Sequence, residues 1–413
     1  MSRALDPVTP VPEEHLYKIA LLVPAHNEQE CIQNTVLSLL KQTACTLPNV
    51  QVDVFIIADN CTDQTEEVVL SLIQGLKGQE NHSVFLLRSK HNKYRKAGAL
   101  NQGYRKIRTL GYTHIATADA DTVWDPRFLE NGLLEMAKHQ ETLGGVCGRV
   151  CLLPYRRDPL KRVTWRKKSV FFVMIALILN CFLGIVWLQQ QLWKYLWWSF
   201  QNIEYSIAQS ETIERMGKAH CLCGPGTIYR AEVLDALYQQ FRLVWPKTMV
   251  EDFDITVRLQ TMKYKTVVGQ NMFVYTDCPI GFRAHSIQRE RWNGGNLATY
   301  MRVGINRHTF LGGTEMGWQL IWFACRINFL ITAIQIYVSG FVYIDMLGFL
   351  LLTVPLILTL FLYLSRFRYV AYKSFFQFLL VVCLGYELYA LWYGVVLTKG
   401  YCKAFTNSLN KWR

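Results

Sequence analysis

Acidic residues are the minority charge in this chain. Over 413 residues, 31 Asp and Glu stand against 44 Lys and Arg, a net charge of +13. What is missing narrows the partner. There is no Arg-rich arm and no recognition-helix pattern, so nucleic acid is not expected, and a membrane surface or a phosphate-bearing substrate accounts better for the charge. The 12 cysteines are scattered apart from one C-x-C at Cys221 and Cys223. They show no repeated metal-ligand spacing, which argues against zinc and for reduced thiols. Residues 1–17 carry no secretory pattern; they are polar and Pro-rich and are expected to form a loose cytoplasmic lead.

What is present is a chain of two textures, 51% hydrophobic overall. Residues 18–150 alternate short β-branched runs with helical patterns: "YKIALLVPAHNE", "VDVFIIADNCTD", "SVFLLRS" and "HIATADADTVWDP" as strands, with helices between them. That alternation predicts a parallel sheet covered by helices, with ligands bound beyond the carboxyl ends of the strands. Asp59, Asp119 and Asp121 all fall at such ends.

Asp119 and Asp121 stand two residues apart, so both can approach one hard cation. Mg²⁺ or Mn²⁺ held in this way keeps positions open for diphosphate oxygens. Lys96 follows a strand, where an ammonium could meet phosphate, and Asp59 could accept hydrogen bonds from a nucleobase edge. Glu251 and Asp252 form a second acidic pair; a carboxylate there, free of metal, could act as general base toward a hydroxyl. The turn "CGPG", with Gly224, allows a sugar to approach backbone closely.

Taken in order, "PAHNE", "IADNCTD", "KAGALN", "DAD", "CGPG", "VED" and "QRERW" resemble the processive family 2 glycosyltransferases, the membrane synthases of cellulose, hyaluronan, chitin and poly-N-acetylglucosamine. The resemblance spans about residues 18–300. It implies an α/β GT-A-like domain and inverting transfer from a nucleotide-diphosphate sugar, with UDP as the expected nucleotide, to a growing glycan. By the same resemblance, Asp59 matches the base contact, Lys96 and Asp119 the nucleotide and diphosphate contacts, Asp121 the metal ligand and Asp252 the general base. Gln288, Arg289, Arg291 and Trp292 match the Q-x-x-R-W motif, whose arginines neutralise the leaving diphosphate and whose tryptophan floors the acceptor site. Gly224 and Glu251 are placed with Gln288 and Trp292 on the acceptor side. Two departures stand out: "VED" replaces "TED", and Arg95 occupies the place of the glycine before the motif lysine.

Apolar segments at about 318–339, 342–364 and 374–397 are each long enough to span a bilayer core, for which about 20 helical residues suffice. They predict a multi-pass protein of the plasma membrane in contact with lipid, with its catalytic domain cytoplasmic. Residues 18–310 then form the transferase domain and 311–413 the membrane helices and tail. Arg326 and Glu387 would lie inside membrane helices and face a partner or a polar path. The basic tail after 397 conflicts with the outside location that three spans would impose. A further insertion, 160–200, contains an apolar run from Val170 to Leu188 and is expected to be a hairpin, a re-entrant element or an interfacial helix, since a single crossing would part Asp121 from Asp252. The residues leave open a non-processive transfer to a polyprenyl phosphate or another lipid.

Overall fold

The computed structural model describes residues 16–76, 82–139, 142–159, 170–211, 219–304, 307–339 and 387–406. Its first half follows the expected alternation: β1 (Tyr17–Ala25), α1 (Ile32–Leu40), β2 (Val50–Ala58), α2 (Thr65–Gly75), β3 (His82–Arg88), α3 (Arg95–Ile107) and β4 (His114–Thr117). Strands β3, β2, β1 and β4 lie side by side and run parallel. Both faces of β1 are buried, as its near-continuous apolar run requires. Ile19, Leu21 and Val23 enter one core cluster with α1 residues, and Ala20 and Leu22 enter another with α3 residues.

The second half comprises β5 (Val123–Trp124), α4 (Phe128–His139), β6 (Leu143–Leu152), α5 (Val170–Glu211), β7 (Thr227–Arg230), α6 (Ala231–Phe241), α7 (Glu251–Thr261) and β8 (Lys265–Thr276). The sheet has eight strands in the order β3-β2-β1-β4-β7-β6-β8-β5. It is mixed rather than wholly parallel: β7 runs antiparallel to β4 and β6, and β5 antiparallel to β8. This departure from expectation serves the site. Because β7 runs backwards, its first residue, Thr227, pairs with the last residue of β4, Thr117. The "CGPG" turn is thereby delivered to the carboxyl ends of the parallel strands.

Helices α8 (Phe282–Val303), α9 (Arg307–Ser339) and α10 (Glu387–Phe405) complete the described chain. Three membrane-related expectations change here. Residues 170–211 form one unbroken helix of 42 residues, roughly 63 Å long at about 1.5 Å per residue, and not a hairpin; nothing in the run but Gly184 invites a break. Its far half returns to the domain, where Trp197 is buried against His285, Phe282 and Tyr389. Second, the stretch 292–308, which reads from the sequence as an interfacial helix following the motif, does not start a new helix: Q-R-E-R-W is itself helical and lies within α8. Third, α10 packs along α8. Gly400 allows this contact, since a Cβ there would lie 2.9 Å from the Glu290 carbonyl oxygen and 3.1 Å from the Gly294 nitrogen. Lys403 pairs with Glu290, so the described part of the basic tail, to residue 406, lies against α8.

Among the described residues, no helix is long and apolar enough to cross a membrane. The expected span at 342–364 and most of that at 374–397 lie outside the described residues, while 318–339 falls within α9. Along α5, Leu179, Phe182, Ile185, Leu188 and Leu192 are between 40% and 66% exposed, spread over about half of the helix circumference.

Candidate active site

Asp59 follows directly on β2 and is buried. Ser89 Oγ donates to its Oδ1 at 2.6 Å and Asn92 Nδ2 to its Oδ2 at 2.7 Å, while Asn60 Nδ2 reaches Oδ1 at 3.2 Å. Left-handed backbone gathers in the surrounding loops, at Asn27, Asn60, His91 and Arg95. Arg95, where the family pattern has glycine, adopts the glycine-like φ of 49°, and Asn92 Nδ2 caps its carbonyl at 2.7 Å. Such conformations persist only where surrounding bonds over-determine them.

At the start of α3, Lys96 pairs with Asp119 and lies 3.2 Å from Glu251 Oε1. Burial opposes its charge, but Asp119, Glu251 and Asp252 outweigh burial and raise the ammonium well above the usual lysine range. Gly224 Nα donates to Asp252 Oδ2 at 3.2 Å, and a Cβ on Gly224 would stand 2.3 Å from Lys96 Nζ. Any larger residue here would push the Lys96 ammonium from its place beside the turn. Lys96, Asp119, Gly224, Glu251 and Asp252 are thus one cluster assembled from α3, the loop after β4, the turn before β7 and the first turn of α7. Burial, then the charge of Glu251, pushes Asp252 up to about 6, against the pull of Lys96.

Beside this cluster, burial and then Asp119 lift Asp121 to about 6. A residue not singled out from the sequence joins them: Glu28, in the loop after β1, is lifted to about 7 by burial, then by Asp121 and Asp119. It was within reach, as the acidic end of "PAHNE". Glu28 and Asp121, each raised in part by neighbouring carboxylates, form with Asp119 a place short of positive charge, and their oxygens suit a hard divalent cation. Among the described residues no three His, Cys, Asp or Glu side chains already close on a common point. The fit is therefore to Mg²⁺ or Mn²⁺ held by Asp121, with Asp119 beside it, and completed by substrate oxygens.

On α8 the motif residues divide. Arg289 is fully buried and grips Glu204 of α5, Nε to Oε1 at 2.9 Å and Nη2 to Oε2 at 3.1 Å. Burial would raise Glu204, but Arg289 overrides it and draws the carboxyl down to about 2. The guanidinium expected at the leaving diphosphate is thus enclosed and paired with Glu204. Arg291 is half-exposed, with no hydrogen bond or ion pair among the described residues. Gln288 is also partly exposed, and its Oε1 accepts from Arg289. Trp292 packs against Val250, Phe253 and Val257, which places it beside the helix that carries Asp252. The part of Glu204 was missed because it stands in a Trp-rich apolar helix, where the one signal is an acid that needs a partner.

Residues 20–238, more than half of the chain, match the glycosyl transferase family 2 domain, and the chain belongs to that family. It accordingly carries a glycosyltransferase domain of GT-A-like fold. Among solved structures, it resembles the mannosyltransferase PcManGT of Pyrobaculum calidifontis, captured with GDP-Man and Mn²⁺. There the identity is 14% and the TM-score 0.52, over 97% of this chain and 90% of that one, a likeness of fold. S. aureus TarS 1–349 in complex with UDP also matches, at 14% identity and a TM-score of 0.38, over 67% of this chain and 64% of that one. No curated protein sequence matches the chain.

Proposed function

We propose that the protein is a membrane-bound transferase that extends a β-linked glycan from a nucleotide-diphosphate sugar, most simply a UDP-sugar. The observation that carries this is the convergence of Lys96, Asp119 and Asp252 about Gly224, with Trp292 packed on the helix of Asp252. An acceptor hydroxyl attacks the anomeric carbon, the bond to the diphosphate breaks, and the hydroxyl proton passes to Asp252. A carboxyl at about 6 is mostly ionised at pH 7 yet basic enough to take that proton. Lys96 and Arg291 meet the negative charge that develops on the departing nucleoside diphosphate. Asp59 receives the base edge. A divalent cation on Asp121 and Asp119 supplies further positive charge at the diphosphate when bound. Trp292 offers a ring for the apolar face of the acceptor sugar.

The membrane part of the proposal rests on the exposed apolar residues of α5 and on the apolar composition of 318–397. Those exposed apolar side chains also favour a second reading, transfer of a single sugar to a lipid-linked acceptor. Membranes containing the full chain are to be incubated with labelled UDP-glucose, UDP-N-acetylglucosamine, UDP-glucuronate and GDP-mannose in turn. Label in a polymer retained at the origin of a chromatogram supports the proposal. Label that enters the organic phase as one sugar on a lipid overturns it in favour of the second reading.

A further inference from the structure

We infer that Glu204 is a positioning residue for transfer to the acceptor. Through Arg289 it holds the ring of Trp292 in place, so the inserted helix α5 belongs to the machinery of the reaction. The inference rests on the proposed part of Trp292 as the floor of the acceptor site.

The geometry runs from α5 to α8 in one chain of contacts. Arg289 is 0% exposed, and both of its outer faces are used. Its edge makes the two-pronged pair with Glu204 and reaches Gln201 Oε1 at 3.3 Å. Its flat face lies over the Trp292 ring at 4.4 Å and the Tyr205 ring at 5.3 Å. Tyr205, next to Glu204 on α5, meets Trp292 edge-on at 6.3 Å. The acid is itself held: Tyr389 of α10 donates to Glu204, and His285 Nε2 lies 2.9 Å from that hydroxyl. Gln201 Nε2 donates to the Pro279 carbonyl at 2.8 Å, which ties α5 to the start of α8.

Stability alone is a poor reason for this arrangement. A buried ion pair can commonly be replaced by apolar side chains of the same volume without loss. What apolar side chains cannot do is fix one orientation of an indole. A planar guanidinium can, because its rigid fork takes a carboxylate at its edge while its face attracts the ring. Lysine would keep the charge and lose both the fork and the stacking. The motif's two arginines then have separate tasks: Arg289 sets the ring, and Arg291, half-exposed two residues on, is left for substrate.

The test uses the full chain in membranes with whichever of the four labelled nucleotide sugars it consumes fastest. The readout is the ratio of sugar transferred to sugar released to water, alongside the Kd of the nucleoside diphosphate. The variants are Trp292→Ala, Arg289→Lys, and Glu204→Gln with Arg289→Gln, the last leaving no lone buried charge. The expected result is a ratio lowered about tenfold in all three, with the nucleotide Kd changed by less than about threefold. Adding Trp292→Ala to the double variant is expected to lower the ratio no further. A ratio unchanged in Arg289→Lys and in the double variant, with Trp292→Ala still lowering it, leaves the acceptor reading intact and overturns the inference. Losses that multiply on combination overturn it as well. If Trp292→Ala leaves the ratio unchanged, the acceptor reading itself fails. Should the double variant not fold, Arg289→Lys decides by the same criteria.

Discussion

Asp252 can act as a base only while ionised, and its surroundings set where that ends. Burial and Glu251 carry the carboxyl up to about 6 while Lys96 restrains it, so the reaction should slow as pH falls through about 6. The expected profile of kcat/KM has an acidic limb near that value. Asp252→Asn is expected to cut turnover by roughly 10²-fold or more, with the nucleoside diphosphate bound as before. Near-normal turnover in that variant removes Asp252 from the proton transfer. Neighbouring Asp254 is no substitute. It is buried and committed to Arg258 at 3.0 Å and Arg302 at 2.6 Å, a support for the helices rather than a reactive group.

At the scale of elements, α8 depends on close backbone contact with α10. Gly400 lies against backbone atoms of Glu290 and Gly294, which have no flexible side chain to move aside. Gly400→Ala should therefore destabilise the protein by about 1–3 kcal/mol through overpacking, despite the better helix propensity of alanine. Gly313, in α9, has nothing within 4 Å of its Cβ position, and Gly313→Ala should leave stability unchanged or raise it by up to about 1 kcal/mol. Thermal unfolding of the two variants side by side checks the contrast. Equal effects would mean that α10 does not rest on α8 as described.

Across the whole molecule, the sheet brings Glu28 from the loop after β1 to Asp121 from the loop after β4, and folding sets one acid against another. Glu28 is lifted to about 7 from an ordinary 4.5. Raised in the fold, it contributes stability at low pH that is lost as pH climbs through about 7. Glu28→Gln removes that loss. The variant should match the parent near pH 5 and exceed it near pH 8 by about 1 kcal/mol, the figure reduced because the group is partly solvated. Melting temperatures at the two pH values, without divalent cation, measure this. Mn²⁺ with UDP should then stabilise the parent more than the variant at pH 8. A difference between the two proteins that does not change with pH would show that Glu28 feels no such field.

The alternation of apolar runs by itself determined that β1 to β4 form parallel strands with covering helices, and it set Asp59 and Asp119 just beyond the strand ends. Pattern and chain connectivity suffice there, since each buried strand must be apolar and each crossover helix covers its neighbours. The direction of β7 was not legible, because a strand of four residues, three of them buried, reads alike in either sense. Only packing reversed that strand and so brought Gly224 to Lys96 and Asp252. Nor does sequence tell Arg289 from Arg291. The two are separated by a helical turn's geometry and by Glu204, 85 residues away, whose carboxylate takes the first arginine out of water and leaves the second at the surface. The long-range partner decides, because the free energy of a buried charge depends on what stands beside it in space and not on what precedes it in the chain.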